Sequence, residues 1–217
     1  MNIAFDIETI PNSSLMNSLP EVEVKLGNLK DPEKIKEKQE ESRKSQIEKM
    51  ALSPLYGRIC CFAVSTDESF STNSIITEES DIAETGLIER AFEVLSGNTI
   101  ITYNGNNFDL PFLYRRAVIL GVDPREFNMP PLAELTKKYS NTKHIDLMQT
   151  WCSWSNNFEK LDTLGKFICN DHKIDIDFRE FPELLKTGEG QKKIADYCQQ
   201  DTDLTIAIFR RFQGILF

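Results

Sequence analysis

"IAFDIET" (residues 3–9) sets two carboxylates, Asp6 and Glu8, inside an apolar run near the start of the chain. Residues 2–9 alternate and are rich in Ile and Phe, the pattern of a strand. Alternate residues of a strand share a face, so Asp6 and Glu8 project together and Ile7 points the other way. Two like charges held side by side raise each other's pKa and are costly unless a cation lies between them. Hard oxygen ligands converging from one face are what Mg²⁺ accepts. The plainer reading is a strand leaving its sheet with both acids in water, and D-x-E alone does not decide between the two.

Outward from this segment, the pattern predicts further elements. "GRICCFAVST" (57–66) reads as a strand and "SFSTNSII" (69–76) as its hairpin partner. "TIITYN" (99–104) reads as a short central strand and "KHIDLM" (143–148) as another. Helical spacing runs over 79–96, with Ile82, Leu87, Ala91, Val94 and Leu95 on the apolar face and Gly97 as the stop. Helices are also predicted over 110–120, 161–169 and 189–213. A hairpin-like set of strands followed by alternating strands and helices predicts an α/β domain with a mixed sheet flanked by helices.

Residues 31–50, "DPEKIKEKQEESRKSQIEKM", mix both charges densely. Asp31 is placed to cap a helix and Pro32 to begin it. Glu40 and Lys44 form a favourable i,i+4 pair. With only Ile35, Ile47 and Met50 as strong apolar positions, the helix reads as a solvated insertion or a substrate-flanking arm.

The totals fit one domain over 1–217: 217 residues with 40% hydrophobic content allow one sizeable core. The net charge of -9 disfavours non-specific coating of duplex DNA or anionic membrane. It leaves room for a nucleic-acid enzyme that works through bound metal and a local groove. Five cysteines without a C-x-x-C pair argue against a disulfide scaffold or zinc site and suit a reducing cytosol. No signal-peptide pattern is read, and no apolar run approaches the ~20 residues of a membrane span, so the expected location is cytoplasmic.

Two more sets carry chemistry. In "TYNGNNFDLPFLYRRA" (102–117) a strand runs into a helix, with Asn104, Phe108 and Asp109 at the junction. The C-terminal ends of sheet strands are where α/β sites gather. Asn104 offers an amide and Phe108 a face on which a base could stack. Read alone, Asp109 is equally an N-cap and Phe108 equally a core residue. In "ADYCQQDTDL" (195–204), Tyr197 and Asp201 lie one turn apart on a face that also carries Ile194, Cys198, Leu204, Thr205 and Ile208. Asp196 and Asp203 fall off that face and read as solvated; Asp201 alone could be a surface acid.

The ordered set D-x-E, N-x-x-x-F-D and Y-x-x-x-D resembles the DEDD 3′–5′ exonucleases of the tyrosine subclass. It is most similar to predicted stand-alone exonucleases related to the proofreading domain of family B DNA polymerases. "KMALSPLYGRI" (49–59), "HIDLM" (144–148) and "LDTLGKF" (161–167) share the resemblance. It implies a ribonuclease H-like mixed β-sheet flanked by helices. It also implies two divalent metal ions, Mg²⁺ or Mn²⁺, held by Asp6, Glu8, Asp109 and Asp201. Tyr197 would orient the attacking water. Ile7, Thr9, Asn104 and Phe108 would contact substrate, and the segment after Glu8 would sense the terminal 3′-hydroxyl. The expected partner is the 3′ end of single-stranded or frayed DNA, with nucleoside 5′-monophosphates as product and replication or repair proteins as further partners. RNA trimming and a catalytically silent nucleic-acid-binding module are the alternatives. His144 and His172 lie outside the third motif, and His144 is expected to be structural. Asp146 is either support for the site or a strand-end acid. The 31–50 insertion departs from a minimal exonuclease, and the lack of a polymerase region resembles a free-standing trimming enzyme.

Overall fold

The computed structural model describes residues 1–21, 24, 31–171 and 176–217; His172 lies outside them. Five strands form one sheet: β1 (Asn2–Pro11), β2 (Gly57–Thr66), β3 (Ser71–Ile75), β4 (Thr99–Thr102) and β5 (His144–Asp146). The helices are α1 (Pro32–Met50), α2 (Asp81–Leu95), α3 (Asp109–Leu120), α4 (Leu132–Leu135), α5 (Leu147–Trp151), α6 (Leu161–Leu164), α7 (Phe181–Leu184) and α8 (Gly188–Phe212). The strand order is β3-β2-β1-β4-β5, so the opening motif sits on the central strand. β1 and β2 pair antiparallel, as do β2 and β3, whereas β1, β4 and β5 run parallel. This is the mixed, helix-flanked sheet expected from the sequence.

The alternation of β1 divides the molecule. Ile3, Phe5 and Ile7 enter a core with Leu87, Ala91 and Phe92 of α2 and with Leu113 and Ala117 of α3. Ala4, on the opposite face, packs with Ile101, Leu204 and Ile208. That second face meets α8, so Asp6 and Glu8, in step with Ala4, are turned toward α8. β2 is buried throughout, which its Ile, Cys, Phe and Val residues permit. The edge strand β3 is polar, and its Ser, Thr and Asn side chains keep it compatible with water.

Several elements differ from expectation in an informative way. α2 buries Glu84, Leu87, Ile88, Ala91, Phe92 and Leu95, while Ile82 is 84% exposed. The face is rotated because Glu84, fully buried, is the centre of an ion-pair cluster. Its carboxylate accepts from Arg58 Nη1 at 2.9 Å, Arg116 Nε at 2.8 Å, Arg116 Nη2 at 2.6 Å and the Ile59 N–H at 2.9 Å. Arg116 also donates to the Pro54 carbonyl, so one cluster joins β2, α2, α3 and the loop before β2. β5 is shorter than the predicted 143–148, because Asp146 caps a new helix at Leu147. The predicted helix over 161–169 passes into a π-type turn at Gly165–Cys169. α1 begins as predicted, with the Asp31 side chain accepting from the Glu33 N–H and Pro32 in the first turn. Lys36 and Glu40 pair at 3.8 Å on the exposed half of the helix. The C-terminal half is different in character, since Arg43 donates to the Met16 and Pro20 carbonyls and Met50 and Ala51 at the helix end are buried.

Candidate active site

The site forms where β1 passes the end of its parallel neighbour. β1 pairs with β4 only over Asn2–Ala4, and β4 ends at Thr102. Beyond that point the main chain of β1 needs another partner on this edge. Asp109 provides it: its Oδ1 accepts the Ile7 N–H at 3.2 Å, across 102 residues of sequence. On the other edge the register between β1 and β2 shifts after Glu8, pairing Glu8 with Cys61 and Thr9 with Ile59. Cys60 is left as the extra residue of a β-bulge, and its thiol donates to the Glu8 carbonyl at 3.4 Å. A bulge at this point bends the strand and re-aims the side chains beside it.

Asp6 and Glu8 are half-buried on the α8-facing side. Cys198 of α8 sits against them, its thiol donating to the Asp6 carbonyl and to Asp6 Oδ2, each at 3.6 Å. One ligand atom from each of Asp6, Glu8 and Cys198 lies within 4.8 Å of the other two. Burial, the neighbouring Cys61 thiol and the charges of Asp6 and Glu8 push the Cys198 thiol well up. It therefore remains a hydrogen-bond donor, and the ligand set is hard oxygen, which suits Mg²⁺ or Mn²⁺ over a thiophilic ion.

Asp109 begins α3, with Phe108 as the capping position and no side-chain cap bond. Asp109 is 3% exposed. Burial pushes its carboxyl up to about 7, opposed by the Ile7 N–H and aided by the nearby charges of Asp146 and Asp201. Asp201 is also buried, on the inward face of α8, rather than a surface acid. Tyr197, one turn earlier, is half-buried with its ring 5.9 Å from that of Phe181, edge to face. β1, the start of α3 and α8 thus bring Asp6, Glu8, Asp109 and Asp201 to one end of the central strand. The solvated reading of Asp196 and Asp203 agrees with their exposure.

The four expected substrate contacts separate. Asn104 is half-exposed with φ 71°, and its Oδ1 accepts from Asn107 Nδ2 at 2.9 Å, leaving its amide N–H₂ to offer. Phe108 is half-buried, its ring 5.5 Å from Phe112. Ile7 is different: its side chain is buried in the core and its N–H is taken by Asp109. Thr9 is buried too, its hydroxyl donating to the Ala51 carbonyl at 2.7 Å. Both side chains therefore pack into the wall of the site. His144 is structural. Its Nδ1 meets the Leu135 carbonyl at 3.0 Å and its Nε2 meets Thr102 Oγ1 at 2.7 Å, and burial pushes its pKa down to about 4. Sequence reasoning passed over the cysteine backing of the acids. The signal was Cys198 on the acid-bearing face of α8 and the Cys60–Cys61 pair on the neighbouring strand.

A family model described as "Predicted 3'-5' exonuclease related to the exonuclease domain of PolB" matches residues 55–216. The chain belongs to this family. The matched span of the PolB-related exonuclease family covers Asp109, Tyr197 and Asp201 and begins after β1. A DNA polymerase of Pyrococcus glycovorans is 30% identical over 141 residues, 60% of this chain and 18% of that protein. DNA polymerase 1 of Saccharolobus solfataricus is 27% identical over 132 residues, 56% of this chain and 14% of that protein. A DNA polymerase of Autographa californica nuclear polyhedrosis virus is 27% identical over 135 residues, 54% and 14%. The chain thus spans less than a fifth of these curated relatives. The fold of the family B DNA polymerase from Pyrobaculum calidifontis covers 97% of this chain and 24% of its own, with a TM-score of 0.67 at 17% identity. Among the described residues no helix is long and apolar enough to cross a membrane.

Proposed function

We propose that this member of the PolB-related exonuclease family is a metal-dependent 3′–5′ exonuclease. Its substrate is the 3′ end of single-stranded or frayed DNA, and its product is nucleoside 5′-monophosphate. One observation carries the reading: Asp6 and Glu8 share a face of β1 while the carboxylate of Asp109 is bonded to the main chain of the residue between them.

Asp6, Glu8, Asp109 and Asp201 would hold two divalent cations, which when bound supply a water nucleophile at neutral pH and neutralise charge on the leaving 3′ oxygen. The Cys198 thiol fixes the Asp6 carboxylate toward its neighbours. The Ile7 N–H orients Asp109 from the opposite side. Tyr197 positions the attacking water by its hydroxyl. Asn104 donates to the terminal nucleotide and Phe108 presents a ring for its base.

The test is a substrate panel of single-stranded DNA, 3′-recessed duplex and RNA, incubated with Mg²⁺ and with Mn²⁺. Mononucleotide release from DNA, abolished by Asp6→Ala, is the expected result. Preferred release from RNA would move the substrate to that class. Retained binding without release in the wild type would point to a silent module of the same fold.

A further inference from the structure

We infer that Asp146 is a positioning residue that sets Asp109 and Asn104 in place for the proposed reaction. The inference rests on the exonuclease reading above. Asp146 lies at the C-terminal end of β5 and is 3% exposed. Its carboxylate accepts four main-chain N–H groups. Two belong to the helix it caps: Met148 at 3.0 Å and Gln149 at 3.2 Å, both on Oδ1. The other two come from the turn after β4, some forty residues earlier: Asn104 to Oδ1 at 3.0 Å and Asn106 to Oδ2 at 2.9 Å. An N-cap requires only the first pair, which a serine would also supply. The second pair needs a longer side chain with two acceptor oxygens.

The turn so held leads directly into α3. Asn104 has φ 71°, a left-handed conformation that asparagine tolerates better than most non-glycine residues and that the bonds of this turn hold in place. Gly105 packs so closely that a Cβ there would lie 2.2 Å from Thr102 Oγ1. The Asn104 carbonyl accepts the N–H of Asn107 and of Phe108, and the Gly105 carbonyl accepts that of Leu110. These main-chain bonds, with the Asn107 side chain on Asn104 Oδ1, carry the turn into the first residues of α3. Asp109 closes the far side by accepting the Ile7 N–H. The start of α3 is clamped between β5 and β1, with Asp146 on one side and Asp109 on the other. Charge-assisted bonds to a buried carboxylate make this a stiff support.

Asp146→Ser separates the two tasks: it keeps an oxygen for Met148 and Gln149 and loses the reach to Asn104 and Asn106. Asp146→Asn is the second variant, and leaves an N–H₂ facing a main-chain N–H whichever way the amide lies. Amide hydrogen exchange at Asn104 and Asn106 should quicken by at least about tenfold, with β1 and β2 unchanged. In the full chain with Mg²⁺ and single-stranded DNA, kcat should fall on the order of 10²-fold, the cost of a small misplacement of a reacting group. Added to Asp109→Asn, Asp146→Ser should cost clearly less than it does alone, because the share that acts through the Asp109 carboxylate is already lost. Unchanged exchange at the turn overturns the inference. So does quickened exchange with kcat within twofold of wild type, or losses that multiply with Asp109→Asn. An inactive wild type would instead remove the exonuclease reading and with it the catalytic consequence; the exchange arm would still report whether Asp146 holds the turn.

Discussion

Asp109 is an acid kept out of water, and its titration follows from that. In the unfolded chain an aspartate titrates near 4, whereas in the fold without metal Asp109 titrates near 7. Between those values the folded state keeps a proton that the unfolded state has released. Its contribution to stability is therefore present at low pH and is lost as pH rises toward 7, by on the order of 4 kcal/mol. Thermal melts of the metal-free protein should show this decline, and Asp109→Asn, which can still accept the Ile7 N–H, should remove it. Mg²⁺ competes with the proton at such a site. Its stabilising effect on the melt should thus be larger at pH 8 than at pH 5 in the wild type, and nearly flat in Asp109→Asn. A pH-independent Mg²⁺ effect in the wild type would contradict this account of Asp109.

At the scale of elements, polar side chains decide how α2 and α3 sit on the sheet. Glu84 takes a position that hydrophobic patterning assigns to an apolar residue, because Arg58 and Arg116 meet it with matched geometry. A buried ion cluster of this kind adds little net stability over an apolar replacement, yet removing one partner strands the others. Glu84→Ala takes the shared acceptor from two buried guanidinium groups and the Ile59 N–H, leaving Arg58 with Asp81 and Arg116 with the Pro54 carbonyl. The expected cost is about 3–5 kcal/mol, or a fall in melting temperature of roughly 10 °C for a chain of this size. A shift below about 3 °C would mean that the arginines find other acceptors. α1 shows the opposite balance: its first half is solvated, and its hold on the molecule is concentrated at Met50 and Ala51. The hydrogen bond from Thr9 to Ala51 joins that end to the central strand, close to the acids.

For the whole molecule, charge limits how a nucleic acid can be held. At a net charge of -9 the chain has no global field to retain a polyanion. Under the proposed function, grip would come from cations at the acid cluster and from local contacts such as Asn104 and Phe108. Digestion should therefore be distributive. A trap of excess unlabelled single strand, added after binding, should stop each labelled strand within a few cleavages. Long uninterrupted digestion through the trap would require an extended basic track that this charge balance disfavours.

The amino-acid sequence was sufficient for the elements that rest on local pattern. Alternation in β1 put Asp6 and Glu8 on one face, glycines marked the ends of α2 and α3, and the inward face of α8 was readable from its 3.6-residue spacing. It was not sufficient where a side chain's partner lies far along the chain. Local pattern contains no trace of Asp109 bonding to Ile7, of Glu84 drawing two arginines inward, or of Asp146 ending its strand to hold a turn some forty residues earlier. For the same reason Ile7 and Thr9 belong to the wall of the site. Spacing settles which way a side chain points, but only packing settles whether water, substrate or another part of the protein meets it there.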